Sequence, residues 1–115
     1  MAEAARLTSR LIVDFLVRRV QQEGGFATML QRGNDEAGGI VVECIDRGAL
    51  TQILEKSSDL SGVSRWVSHD GGYVADAKEL AAYRIRRMAD DPDLWWLELD
   101  IAHAARFTDE ILASH

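Results

Sequence analysis

The sequence has few of the residues that cross-link, kink or anchor a chain. It has one cysteine and one proline among 115 residues, so no internal disulfide can form and disulfide-rich secreted scaffolds are excluded. No apolar run approaches the roughly 18 residues that cross a bilayer, and the N-terminus lacks a signal-peptide pattern. The sequence therefore predicts a cytoplasmic protein that does not associate with membranes.

Positive charge is also scarce. Thirteen Lys and Arg against nineteen Asp and Glu give a net charge of −6 at pH 7, whereas binding to nucleic-acid phosphates requires an excess of cations. A nucleic-acid partner is therefore not expected, despite a local basic edge at Arg84, Arg86 and Arg87. Length and a 47% apolar content predict one folded domain over residues 1–115, with residues 1–5 and 113–115 frayed.

Glycine is absent from both ends of the chain, since all nine lie between residues 24 and 72. The glycine-free ends hold two helical patterns, one at 6–22 capped by Thr8 or Ser9 and one at 76–90 capped by Asp76. Four further segments have the pattern of strands: 40–46, 49–55, 63–68 and 95–101. The segment 26–32 is compatible with helix by composition, but its position between two glycines favours a strand.

These elements together predict the fold class. Strands joined by short turns indicate a mainly antiparallel sheet of four or five strands. Helices at both ends of the chain are expected to pack on one face of that sheet. The prediction is an α+β two-layer sandwich, with the N-terminal helix and the second long helix on the sheet.

Two features of this pattern suggest a partner. The helix at 6–22 is apolar around more of its circumference than one packed face needs, so it is either deeply buried or buried twice, the second time by a partner. Trp96 falls on the strand face that carries Glu98 and Asp100, opposite Trp95. An exposed Trp96 would anchor a partner; the alternative is that the C-terminal segment 107–112 covers it.

A group of arginines forms a second candidate binding site. Arg18 and Arg19 end the first helix, and Arg32 precedes a glycine-containing loop that carries Asp35. If the segment 26–32 folds back along the helix, these arginines form a site for an anion or a carboxylate. The competing explanation is internal pairing with Asp35, Asp91 or Asp93.

Catalytic and metal-binding motifs are missing from the sequence. The loop at 33–39 has the glycine spacing of a phosphate loop but no following lysine, and acids would repel phosphate, so a hairpin loop is expected there. The histidines lack metal-ligand spacing, and Cys44 has no neighbouring histidine to activate it. A hydrolase that uses Asp35, Glu36 or Glu43 with His69 is the least favoured hypothesis. No cofactor and no metal are predicted.

Four short motifs, taken in order, carry a resemblance to a known family. They are Arg18-Arg19-Val20 leading to Gly24-Gly25-Phe26-Ala27, then Arg32-Gly33 before Asp35-Glu36-Ala37-Gly38, then Arg65-Trp66, and last Asp91-Pro92-Asp93-Leu94-Trp95. Their order and spacing resemble domain of unknown function family 1491, short alphaproteobacterial proteins, from about residue 6 to residue 107. Trp96 departs from the aliphatic residue expected, and residues 102–105 replace a more polar turn.

This resemblance implies a bacterial, cytoplasmic, single-domain protein and no assigned activity. Together with the residues above, it predicts a non-catalytic protein-interaction module that forms a homodimer and binds an unidentified protein. The alternative is a domain that binds a small anionic ligand through Arg18, Arg19 and Arg32, with Asp35 nearby. Trp96 completes the set of candidate binding residues.

Overall fold

The computed structural model describes residues 8–58, 64–69 and 76–113, and these residues form three helices and five strands. In chain order the elements are α1 (Ser9–Gln22), β1 (Phe26–Gln31), β2 (Ile40–Asp46), β3 (Ala49–Ser58), β4 (Ser64–Ser68), α2 (Ala77–Asp90), β5 (Trp95–Asp100) and α3 (Ala104–Ala113). The segment 26–32 is thus mainly a strand. Residues 6 and 7 of the first predicted helix lie outside the described residues, and α1 begins at Ser9.

The five strands form one sheet in the order β1-β5-β2-β3-β4. Three neighbouring pairs are antiparallel, and β2 with β5 is the parallel pair. The α+β class and the mainly antiparallel sheet are therefore confirmed. Because β5 lies between β1 and β2, the loop at 33–39 is not the hairpin loop that the sequence suggested; it carries the chain across β5.

Local chemistry explains where the elements begin and end. Thr8 caps α1, since its hydroxyl accepts from the Leu11 N–H at 3.2 Å, and Asp76 caps α2 by accepting from two backbone N–H groups. The β2–β3 hairpin closes through Arg47 and Gly48, whose φ angles of 53° and 81° match a type I′ turn. These boundaries follow the sequence signals closely.

The larger core lies between the sheet and two helices. The buried side of α1 packs on one face of the sheet, and α3 packs beside it over the same face. The described core residues on this face are Ile12, Val13, Leu16, Val20, Ile40, Val42, Cys44, Leu54, Trp95, Leu97, Leu99 and Ala104. The second apolar side of α1 is therefore partly covered by the chain's own α3.

The opposite face of the sheet carries a second core under α2. Its members are Val41, Ile53, Leu80, Tyr83, Leu94 and Trp96. The expectation that both long helices share one face is corrected here: α1 and α2 cover opposite faces, in three layers. The reason is that the central strands β2 and β5 carry apolar side chains on both faces, with Val41 and Trp96 on the α2 side, so each face of the sheet requires a helix.

Candidate functional site

A buried carboxylate on β2 organises the contact between the sheet and α2. Glu43 is 1% exposed, and Arg84 of α2 donates to both of its oxygens, from Nε and Nη2, at 2.9 Å each. The indole N–H of Trp96 donates to Oε2 at 2.6 Å. These bonds to Glu43 raise the pKa of Arg84 against the opposing effect of burial. The Glu43 charge is thus compensated inside the protein.

A second ion pair lies on the same side of α2. Arg87 donates to both carboxylate oxygens of Glu55, at 3.0 and 2.8 Å, and to the hydroxyl oxygen of Tyr83 at 2.5 Å. Tyr83 in turn forms a hydrogen bond with Nε2 of His69. Because arginine only donates, the phenol hydrogen of Tyr83 can be donated to His69. The bonds to Glu55 raise the pKa of Arg87.

This polar layer does not support the hydrolase hypothesis. Two aromatic rings stand between Glu43 and His69: Trp96 contacts Tyr83 edge-on at 5.9 Å between ring centroids, and Tyr83 contacts His69 at 5.4 Å. The main chain of Asp35 and Glu36 joins the α1 side of the sheet instead. The candidate acids and the histidine are therefore not assembled into one constellation.

A small open cleft borders this layer at the β3–β4 edge. It has a volume of about 260 Å³ and is lined by Glu55, Lys56, Ser57, Val67, Ser68 and His69. Ligand pockets typically begin near 300 Å³, and Glu55 and His69 already have partners within the protein. Burial lowers the pKa of Lys56. The cleft therefore gives little support to a ligand site.

The candidate arginine site is divided between the two ends of α1. The turn after α1 reverses the chain, so Arg32 returns to the first turn of the helix, where Asp35 lies 3.7 Å from Arg32 and 3.6 Å from Arg10. Arg18 follows Arg10 by eight residues, which is about 12 Å along a helix. Asp35 is thus the internal partner of Arg32 that the competing explanation named.

The remaining parts of the candidate anion site are occupied or exposed. Arg19 lies 3.9 Å from Glu23, and Arg18 is exposed. Carbonyls of the loop at 33–39 accept from the first N–H groups of α1, with Ser9 N bonded to Glu36 O and Arg10 N to Asp35 O. The N-terminus of α1, which could otherwise attract an anion, is thus closed by this loop.

Trp96 is not the exposed anchor that the sequence allowed. Its side chain is 0% exposed, and Tyr83 of α2 covers it. The C-terminal segment does not cover it either, since α3 lies on the α1 side of the sheet. The sequence pattern failed here because alternation along a strand assigns a face, whereas the element packed on that face depends on the fold.

Cys44 and the histidines provide no reactive centre in the described residues. Cys44 is fully buried, and burial, followed by the charge of Asp109, raises its pKa to about 12. The thiolate required of a nucleophile is therefore disfavoured. Within residues 8–58, 64–69 and 76–113, no three side chains of His, Cys, Asp or Glu group as metal ligands, and no helix is long and apolar enough to span a membrane.

An exposed apolar edge strand was missed by the sequence analysis. β1 lies at the end of the sheet, and its Phe26, Met29 and Leu30 side chains are 74%, 43% and 36% exposed. The strand contains no charged residue and no proline, which are two of the devices that keep sheet edges apart. The absence of charge was visible in the sequence, but the edge position was not.

The fold and these surfaces define a class: a small α+β protein whose mixed five-stranded sheet carries helices on both faces. Residues 7–109 match the family model described as "Protein of unknown function (DUF1491)", and the chain belongs to this family. No curated protein matches the chain.

Solved structures share both the fold and part of the sequence. A protein from A. tumefaciens determined in solution is 27% identical with a TM-score of 0.69, covering 85% of this chain and 88% of that one. A DUF1491 family protein from Caulobacter crescentus, solved by crystallography at 1.87 Å, is 26% identical with a TM-score of 0.70, covering 89% and 94%. The NMR structure of a DUF1491 family protein from Caulobacter crescentus is 26% identical with a TM-score of 0.67, covering 88% and 91%.

Proposed function

We propose that this protein is a non-catalytic protein-interaction module that forms a homodimer through the outer edge of β1. The observation that carries the proposal is the uncharged edge strand with three exposed apolar side chains, Phe26, Met29 and Leu30. An edge strand presents unpaired backbone N–H and C=O groups to another strand. A second copy of the chain supplies such a strand with the same uncharged composition.

The polar layer under α2 supports a role without catalysis. Glu43, Glu55, Arg84 and Arg87 are engaged in two bidentate ion pairs, which hold α2 to the sheet. Catalytic carboxylates are typically placed where their charge can act on a substrate. Here each carboxylate is matched by an arginine of the same protein.

The alternative, an anionic-ligand site at Arg18, Arg19 and Arg32, receives less support. Arg32 shares Asp35 with Arg10, and Arg19 lies beside Glu23. Exposed pairs of this kind contribute at most about 1 kcal/mol each, so a strongly charged anion could compete with them. The separation of Arg18 from Arg32 along α1 nevertheless argues against one shared ligand.

The test is the mass of the protein in solution, measured by native mass spectrometry and sedimentation velocity. We expect a dimer of the 12.8 kDa chain at about 100 µM, since a short strand edge buries less area than a tight interface. Met29→Lys should weaken the dimer at least tenfold, because a charge at the strand edge opposes pairing.

Val67→Lys on β4 is the matched control. Val67 is 42% exposed, close to the 43% of Met29, but lies on the opposite edge strand. It should leave the dimer intact. A wild-type protein that stays monomeric at this concentration, or a dimer that Met29→Lys leaves unchanged, contradicts the proposal.

A further inference from the structure

We infer, resting on the homodimer proposed above, that two copies pair their β1 strands antiparallel about a twofold axis at Thr28. The two five-stranded sheets then continue as one sheet of ten strands. The argument uses three observations: the difference between the two edges of the sheet, the alternation of side chains along β1, and the charges at the ends of β1.

The two edges of the sheet differ in their chemistry. β4, the other edge strand, has an exposed arginine, Arg65, at its second position, and a charge on an edge strand opposes pairing with another sheet. β1 has the sequence FATMLQ and no charge. Within the part of the chain that the structure describes, no strand pairs with its outer edge. β1 is therefore the edge open to a second copy.

The twofold symmetry of a homodimer restricts the register. Residues directly opposite each other in an antiparallel pair point to the same face, so the axis of a β1–β1 pair passes through one residue and its copy. An axis at Thr28 sets Phe26 opposite Leu30 of the partner subunit and Ala27 opposite the partner's Met29. Each exposed apolar side chain of β1 then meets an apolar side chain.

The neighbouring registers lose these contacts. An axis at Ala27 sets Met29 opposite a glycine, Gly25 of the partner subunit, so its side chain gains little. An axis at Met29 sets Phe26 opposite the partner's Arg32. The register at Thr28 also places two threonines opposite each other, a pairing that is favourable across strands.

The charges at the ends of β1 agree with this arrangement. Glu23 precedes the strand, at the end of α1, and Arg32 follows it. Continued past the ends of the strand, the Thr28 register brings Arg32 towards Glu23 of the partner subunit. The symmetry repeats this approach at the other end, so two pairs of opposite charge flank the apolar centre.

A bulge limits the length of the contact. The pairing of β1 with β5 shifts between Met29 and Gln31, and a bulge bends an edge strand. The regular part of the new pair is therefore short, about five residues on each copy. A short contact implies a dimer that forms at micromolar or higher concentrations rather than an obligate one.

The experiment is oxidative cross-linking of two single-cysteine substitutions by oxidised glutathione. Directly opposite residues in an antiparallel pair have Cα atoms about 4.5–5.5 Å apart, within disulfide reach, so Thr28→Cys should form a covalent dimer. In the same register the two copies of residue 26 are offset by four residues along the strands, which is about 13 Å. Phe26→Cys, although the native Phe26 is 74% exposed, should cross-link at least tenfold more slowly.

The native Cys44 is buried and is not expected to interfere. Each variant is first checked for the dimer mass without oxidant, so that a variant that fails to assemble is recognised. Equal cross-linking of Phe26→Cys and Thr28→Cys, or none at Thr28→Cys in a protein of dimer mass, overturns this register while leaving the homodimer standing. A monomeric wild type overturns both.

Discussion

At the scale of single residues, the buried Glu43 decides how α2 is held. A carboxylate that is 1% exposed is costly to bury unless its charge and its lone pairs are satisfied. Arg84 supplies the opposite charge and Trp96 supplies a further hydrogen bond. The three side chains come from two strands and one helix, so these bonds to Glu43 fix the position of α2 against the sheet.

Removing the Arg84 side chain should therefore lower the stability of the fold by more than its partly exposed position suggests. We expect Arg84→Met to lower the free energy of unfolding by about 3 kcal/mol, since Glu43 is left buried without its counter-charge. Adding Glu43→Gln should restore most of this loss, because glutamine carries no charge and still accepts from Trp96. Urea denaturation followed by circular dichroism measures both changes.

Arg86 is the matched control for this pair. It lies on the same helix and is exposed, so Arg86→Met should change the free energy of unfolding by no more than about 0.5 kcal/mol. A small effect of Arg84→Met, similar to that of Arg86→Met, would show that the ion pair does not hold α2.

At the scale of elements, the loop at 33–39 links the start of α1 to the start of β5. It closes the N-terminus of α1 with its carbonyls, and the Trp95 indole N–H donates to the carbonyl of Asn34 at 2.7 Å. Gly38 lies directly against the turn that precedes β5, since a Cβ there would be 2.1 Å from the carbonyl oxygen of Asp93. The tight packing of this loop depends on that missing side chain.

Gly38→Ala should consequently destabilise the protein by displacing this loop. The added methyl group meets backbone atoms that cannot move without shifting α1 or β5, so we expect a loss of about 3 kcal/mol or more in the free energy of unfolding. Gly39→Ala is the control, because its nearest neighbour is the end of the flexible Leu94 side chain at 3.1 Å. Comparable losses for the two variants would contradict the close approach at Gly38.

α1 shows how far an element can be understood before its neighbours are known. Its excess of apolar surface predicted either deep burial or a second cover supplied by a partner. The second cover includes α3 of the same chain, so this excess no longer requires a partner. The apolar side chains of β1 that remain exposed form no periodic pattern in the sequence. They are exposed because the strand order puts β1 at the edge of the sheet.

At the scale of the whole molecule, pH acts on a protein whose net charge is already −6. Glu98 lies on the α2 face of the sheet, in register with Glu43 of the neighbouring strand. Burial and then the negative charge of Glu43 raise its pKa above 4.5, while Arg84 opposes this shift. The folded protein therefore binds this proton more tightly than the unfolded chain does.

The sign of the resulting pH dependence follows from this difference. Between 4.5 and the raised pKa the folded state holds more protons, so the contribution of Glu98 to stability falls as the pH rises. Glu98→Gln should raise the free energy of unfolding at pH 7, and the gain should vanish below pH 4.5, where the native carboxyl is protonated in both states. Urea denaturation at both pH values measures it.

Glu36→Gln, in an exposed loop position, serves as the control and should change the free energy of unfolding by no more than about 0.5 kcal/mol at either pH. If Glu98→Gln instead lowers the stability at pH 7, the ionised carboxylate is favoured in the folded state and the assigned direction of its pKa shift is wrong.

The sequence by itself determined the elements, since helix caps, the glycine-rich middle and apolar periodicity act over a few residues. It also determined the class of fold and, through four short motifs, the family. Trp96 and the arginines mark the limit of this reasoning: their types and faces were readable, but their neighbours were not. Only the tertiary structure decided that α2 covers Trp96, that Arg84 meets Glu43, and that β1 is an edge, because these contacts join residues more than ten positions apart and depend on strand order, which no local pattern encodes.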